Sequence, residues 1–202
     1  MNYLLIDTCN AHLSVVASVN GKTEYVFEPD CGVNHSVKVM PAVESVLSKL
    51  SASIDDLDFI GAVAGAGSFT GIRIGLSTVK GLWLAKNKPA LKITSFDTIA
   101  YNIDSGKVMA VIDAGHKGCY ACAYKDGKAV SLPEYLSVDE LIKKAKGMQI
   151  LSFTEINGVK TQIVSPLAGL IKYAEKHGED ADLDLNKLVA VYCRKSQAEE
   201  GR

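Results

Sequence analysis

The apolar positions at the start of the chain fall in short runs separated by turn chemistry. Tyr3-Leu4-Leu5-Ile6 runs into Asp7, a polar stretch follows, Leu13 to Val19 is again apolar, and Asn20-Gly21 comes next. This predicts a strand ending in Asp7, a polar turn, a second strand and a hairpin, since a type I′ turn needs positive φ at both central residues. The order recurs later in the chain. IDTCNAHLSVVASVNGKTE, from Ile6, aligns without gaps on IDAGHKGCYACAYKDGKAV, from Ile112. Asp7 meets Asp113, Ala17 meets Ala123, and Asn20-Gly21-Lys22 meets Asp126-Gly127-Lys128. Matching strand, turn and hairpin order points to an internal duplication.

Helical periodicity follows each hairpin. From about 36 to 50, Val39, Val43, Val46, Leu47 and Leu50 share a stripe, and Pro41 inside it predicts a kink or a late start. DFIGAVA reads as a strand, GAGSFTG as a turn, and 71–87 as a second helix. In the second half SVDELIKKAK reads as a helix, MQILSF as a strand and SPLAGLIKYAEKHG as a last helix ending near Gly178. The pattern βββαβα, twice, predicts two α/β half-domains with mixed sheets. The expected lobes are 1–103 and a smaller 104–202, with a C-terminal tail returning to the first.

Composition narrows the classes. With 48% hydrophobic and 22% charged residues, the chain can bury a substantial core. No apolar run reaches the roughly 18–20 residues that span a bilayer. MNYLLIDTCN has no basic segment ahead of its apolar run, so it reads as a strand and not a signal peptide, and a cytoplasmic location is expected. Five cysteines at irregular spacing do not form a secreted disulfide framework. A net charge of −1 lacks the footprint of an autonomous nucleic-acid binder, so any RNA substrate would be held mainly by something else.

Several constellations invite chemistry. Gly65, Gly67, Ser68, Phe69, Thr70, Gly71, Arg73 and Gly75 lie in one strand-to-helix turn, where glycines and a helix start can hold an anion. The turn lacks the Gly-Lys-Ser/Thr of a Walker A loop, and Ser68 or Thr70 serves equally well as a helix N-cap. Gly71 and Gly75, one turn apart, each cost about 1 kcal/mol of helix propensity, which implies a close approach by another backbone, from this chain or a partner. Asp7, Thr8, Asp113 and Gly115 sit at the ends of equivalent strands, as phosphate-site residues or as carboxylates binding turn amides. Cys119 and Cys122 spell C-x-x-C, but on a strand their offset puts them on opposite faces. His12, His35, His116 and His177 form no helical metal pair, and Ser68 is not in a G-x-S-x-G elbow. The stripe Val39, Val43, Val46 and Leu50, with Gly71 and Gly75, is the candidate partner interface.

GAGSFTGIRIGLSTVKGL resembles the G-x-G-S-F-T-G-[IL]-R-[IV]-G signature of the bacterial TsaB family, a subunit of tRNA threonylcarbamoyladenosine biosynthesis. The IDT opening, Asn34-His35-Ser36 and VYCRKSQAEE near the end add to the resemblance, while Gly-Ala-Gly replaces the usual Gly-Pro-Gly. The resemblance implies a duplicated actin/hexokinase-like (ribonuclease H-like) fold with a shortened second lobe and no active site of its own. It implies a non-catalytic dimerisation subunit that partners the catalytic paralogue TsaD and the ATPase TsaE. In isolation a homodimer is expected, because an apolar patch without its partner tends to pair with itself. Contact with tRNA would come mainly through the complex. No metal or cofactor is expected in the isolated subunit, and nucleotide only at a composite interface. The helical histidine pair that holds the paralogue's metal is missing, since Val39 stands four residues after His35. The competing readings are an ATP-dependent phosphotransferase of the same fold, working through Asp7 or Asp113, and a peptidase.

Overall fold

A computed structural model describes residues 1–115 and 118–193. His116 and most of the terminal motif, from Arg194 onward, lie outside the described residues. Contacts divide the chain into a unit of residues 1–94 with 173–191 and a unit of residues 95–172 joined by Tyr192 and Cys193.

The first unit is built on five strands. β1 (Tyr3–Asp7), β2 (Leu13–Val19) and β3 (Lys22–Glu28) form an antiparallel meander, and β4 (Phe59–Val63) and β5 (Ala90–Ile93) add parallel strands on the other side of β1. The order β3-β2-β1-β4-β5 makes β1 central, and all five of its residues are buried. Asn20 and Gly21 adopt φ of 53° and 77° between β2 and β3, as the Asn-Gly turn requires. β5 is absent from the sequence reading. Its four residues ALKI are too few to show a period, and Asp182 from the returning chain exchanges backbone hydrogen bonds with Ala90 along its outer edge.

Helix α1 (His35–Lys49) packs on β2 and β3, α2 (Phe69–Lys86) packs on β1 and β4, and the two helices touch. α1 starts at His35 and runs through Pro41, whose ring lies on the exposed side. Val39, Val43 and Val46 are buried and Leu50 is half-buried. The stripe expected to meet a partner therefore packs on the unit's own sheet, where each buried valine contributes about 1.5–3 kcal/mol.

The second unit repeats the meander. β6 (Lys107–Gly115), β7 (Gly118–Lys125) and β8 (Lys128–Ala129) are antiparallel, β10 (Gln149–Ser152) and β11 (Gln162–Ile163) are parallel neighbours beyond β6, and β9 (Glu134–Ser137) pairs with β7. Asp126 and Gly127 take φ of 51° and 76°, matching the first hairpin. α3 (Ser95–Ala100) precedes β6, α4 (Val138–Lys144) follows β9, and α5 (Pro166–His177) closes the unit and leads back to the first. The boundary falls between Thr94 and Ser95, not near 104, because α3 packs on β6 and β7 and Tyr124 donates to Asp97 at 2.6 Å. β10 and β11 are joined without an intervening helix, which is where this lobe is shorter. Cys119 lies in the core with Met109, Val111, Ala121 and Leu141, whereas Cys122 points the other way, its thiol 3.4 Å from the Ser131 carbonyl. The pair faces opposite sides of β7.

Candidate functional site

The turn from Thr8 to His12 and the start of α2 close on each other. Asp7 ends the central strand with its carboxylate fully buried. Its Oδ1 accepts the Cys9 amide at 2.9 Å, and its Oδ2 lies 3.0 Å from His12 Nε2. Thr8 Oγ1 donates to the Gly71 carbonyl at 2.7 Å, and the Cys9 carbonyl accepts the Ser68 amide at 2.6 Å. Cys9 Sγ lies 3.0 Å from the Val63 carbonyl. Both oxygens of Asp7 are thus engaged inside the protein.

The signature glycines make this closure possible. A Cβ on Gly67 would overlap the Cys9 carbonyl, and one on Gly71 would overlap the Thr8 carbonyl, each under 3.0 Å. A Cβ on Gly65 would meet the Val191 carbonyl, whose own amide donates to Ala64 at 2.7 Å. At Gly75 the neighbour is a side chain, Thr8 Oγ1, at 2.7 Å. The close approach expected at Gly71 and Gly75 is present, but it comes from this chain's own β1 end. Those glycines are interior packing positions and not a partner surface. Ser68 caps α2, its Oγ accepting the Gly71 amide at 3.3 Å. Of the remaining signature residues, Ser68, Thr70 and Arg73 are exposed, with the Arg73 guanidinium 5.0 Å above the Phe69 ring.

The equivalent corner of the second unit is open. Asp113 is exposed, its Oδ1 accepting the Gly115 amide at 2.8 Å, and Gly115 has φ of +70° beside a bulge. Both border a cleft of about 560 Å³, lined also by Asp139, Val138, Ile156 and Asn157. The described lining carries two carboxylates and no lysine or arginine, which disfavours a phosphate. Burial, reinforced by Asp113, pushes the Cys119 thiol up to about 11, so it is a poor nucleophile or metal ligand.

The sequence reading missed the role of two histidines. His12 and His35 are both buried, and His35 Nε2 lies 3.0 Å from the His12 carbonyl. Their spacing in the sequence shows no metal pair, and the usable signal for a structural role is Asn34-His35-Ser36 at a predicted helix start. His177 sits on Asp180 at 2.8 Å and stacks on Tyr173. Among the described residues no three His, Cys, Asp or Glu side chains converge as a ligand set. The apolar surface that the first unit does expose includes Val33 in the turn before α1, Val37 and Met40 on α1, and Leu84 on α2. Gly81, also exposed on α2, has nothing within 4 Å of its Cβ position.

Two units of matching strand order, each a meander extended by parallel strands, define an actin/hexokinase-like protein. The family model described as TsaD, tRNA N6-adenosine threonylcarbamoyltransferase, matches residues 28–184. The tRNA threonylcarbamoyladenosine biosynthesis protein TsaB of Bacillus subtilis (strain 168) is 28% identical in a 225-residue alignment covering 98% of this chain and 96% of that protein. TsaB of Escherichia coli (strain K12) is 30% identical over 129 residues, 62% of this chain and 55% of its own length. YeaZ from Pseudomonas aeruginosa has the same fold, with a TM-score of 0.77 at 21% identity, covering 95% of this chain and 99% of that one. The chain belongs to the TsaD family and, within it, to the TsaB line.

Proposed function

We propose that this chain is the non-catalytic dimerisation subunit of the complex that forms N6-threonylcarbamoyladenosine in tRNA, next to the anticodon. It supports its catalytic paralogue TsaD in the cytoplasm, together with the ATPase TsaE. The observation that carries the non-catalytic reading is the closed corner at Asp7, where His12 and the Cys9 amide take both oxygens. A phosphotransferase or a metal-dependent transferase needs that carboxylate facing its ligand. The subunit holds no metal or nucleotide alone, and a nucleotide binds only where it meets a partner. Contact with tRNA comes mainly through the complex, in keeping with the net charge of −1. No helix among the described residues is long and apolar enough to cross a membrane.

Association runs through the exposed side of α1 and α2, not the buried stripe. Val33, Val37, Met40 and Leu84 supply apolar area, and Gly81 costs about 1 kcal/mol of helix propensity for no benefit within the chain. A close helix–helix approach from outside gives that glycine a use. TsaD shares the fold, so the pairing is expected to be pseudo-symmetric, like helices on like helices, and a second copy takes the same face when TsaD is absent.

The accessible carboxylate of Asp113 leaves one alternative, a phosphotransferase working from the second lobe, although the acidic lining of its cleft counts against a phosphate. Calorimetric titration of the isolated chain with Mg-ATP separates the two readings. No binding at the micromolar level is expected, and a stoichiometric site of about −8 kcal/mol that is lost in Asp113→Asn supports the alternative. A peptidase is the weakest reading, since Asp7 and His12 are both buried.

A further inference from the structure

The turn between β1 and β2 touches the starts of both helices assigned above to association. On the α2 side, the Cys9 carbonyl receives the Ser68 amide and Thr8 Oγ1 holds the Gly71 carbonyl. On the α1 side, the Ala11 carbonyl accepts the amides of Cys31 and Gly32 at 2.8 and 3.2 Å, and the His12 carbonyl meets His35 Nε2 at 3.0 Å. His12 is itself held by Asp7. α1 lacks the usual devices for fixing a helix start. Asn34 makes no side-chain cap hydrogen bond, and there is no acidic residue in the first turn. Its start is set from outside, through His35.

The geometry of the helix says what this sets. Residues two apart on an α-helix point about 200° apart. With His35 drawn into the core, Val37 faces away from it and is 68% exposed. We infer that Asp7, His12 and His35 form a positioning relay: the corner that would face a phosphate in an enzyme of this fold instead fixes the angle at which α1 presents Val37 and Met40 to the catalytic paralogue. The relay touches no substrate and acts only through the docking face. It rests on the reading that α1 and α2 carry association.

Three variants of the full chain test it. His35→Ala removes the ring that meets the His12 carbonyl. His35→Gln places an amide donor near the Nε2 position. Asp7→Asn keeps an oxygen for the Cys9 amide while weakening the link to His12. Each is measured for affinity to the catalytic paralogue by calorimetry and for amide exchange by mass spectrometry, with Val37→Asp as the docking control. His35→Ala and Asp7→Asn are each expected to weaken association about tenfold, and His35→Gln about two- to threefold. Amides at 36–40 should exchange faster in the first two while those of β1 and β4 do not change. The double variant should lose less than the product of the two single losses, as members of one chain of bonds do. Wild-type affinity in His35→Ala, with Val37→Asp unable to bind, overturns the relay and leaves the docking reading standing. Full affinity in Val37→Asp overturns the docking reading and the relay with it. Faster exchange throughout the sheet, with affinity lost only in proportion to unfolded protein, reduces the three residues to ordinary core bonds and also overturns the relay.

Discussion

Alanine at Gly71 and alanine at Gly81, ten residues apart on the same helix, should move stability in opposite directions. Each substitution gains about 1 kcal/mol of helix propensity. At Gly81 nothing lies within 4 Å of the added methyl, so the gain survives. At Gly71 the methyl would overlap the Thr8 carbonyl, a backbone atom at the end of the central strand that cannot rotate away. Relief requires a movement of roughly 1 Å between α2 and the turn, an overpacking cost of about 1–3 kcal/mol. The same movement stretches the hydrogen bond from Thr8 Oγ1 to the Gly71 carbonyl, worth about 0.5–1.5 kcal/mol. The sum for Gly71→Ala is a net loss of about 1–3 kcal/mol, or several degrees at about 2–4 °C per kcal/mol for a chain of this size. Urea and thermal unfolding followed by circular dichroism provide the assay. Gly81→Ala should melt slightly above wild type yet bind the catalytic paralogue less well, since its methyl enters the proposed interface. A Gly71→Ala protein as stable as wild type, or more so, would refute the account of why the signature contains glycine.

Gly75→Leu should also melt lower, because Thr8 Oγ1 stands 2.7 Å from the first added carbon, so that α2 or Thr8 must shift to admit it. Unchanged melting with lost association would return Gly75 to the interface. Val37→Asp should leave unfolding within about 0.5 kcal/mol of wild type, as exposed substitutions do, while light scattering shows the isolated subunit shifting from dimer to monomer. A persistent dimer counts against the α1 face. Burial, reinforced by Cys122, pushes the Cys193 thiol up to about 11, and burial likewise raises Cys119, so at pH 8 the folded protein should react with a disulfide reagent on the order of 10²-fold slower than in urea. Rapid labelling of either thiol in the folded state contradicts this. The Ser137 hydroxyl and amide hold the Glu140 carboxyl below its ordinary range at the start of α4. Its contribution is present above the unfolded-state pKa and lost as pH falls through the lower folded one, so an NMR titration midpoint at or above about 4.3 argues against the capping box.

The duplication was legible in the sequence because hairpin chemistry is local. Asn20-Gly21 and Asp126-Gly127 specify their turns whatever surrounds them. α1 and α2 were readable within a residue or two, since each runs for several periods of apolar spacing. The strands ALKI and Gln162–Ile163 were not, being too short to carry a period and stabilised by neighbours distant in the chain. Periodicity also shows that Val39, Val43 and Val46 need a partner surface without saying whose, and β2 and β3 proved to be that surface. The close approach at Gly71 was foreseeable from the cost of a helical glycine. The approaching group was not, because Thr8 lies 63 residues earlier in the chain. The Asp7–His12 pair depends on the path of a polar turn, which no periodicity describes.

The central claim is that this chain is required for the modification without performing it. Its most direct measurement is mass spectrometry of nucleosides from tRNA incubated with TsaD, TsaE, the threonylcarbamoyl-AMP donor and graded amounts of this chain. N6-threonylcarbamoyladenosine should be absent without the chain, rise to a plateau at stoichiometric addition, and remain absent when the chain is given donor and tRNA alone. Product formed by the chain by itself, or an undiminished yield when it is omitted, would contradict the account.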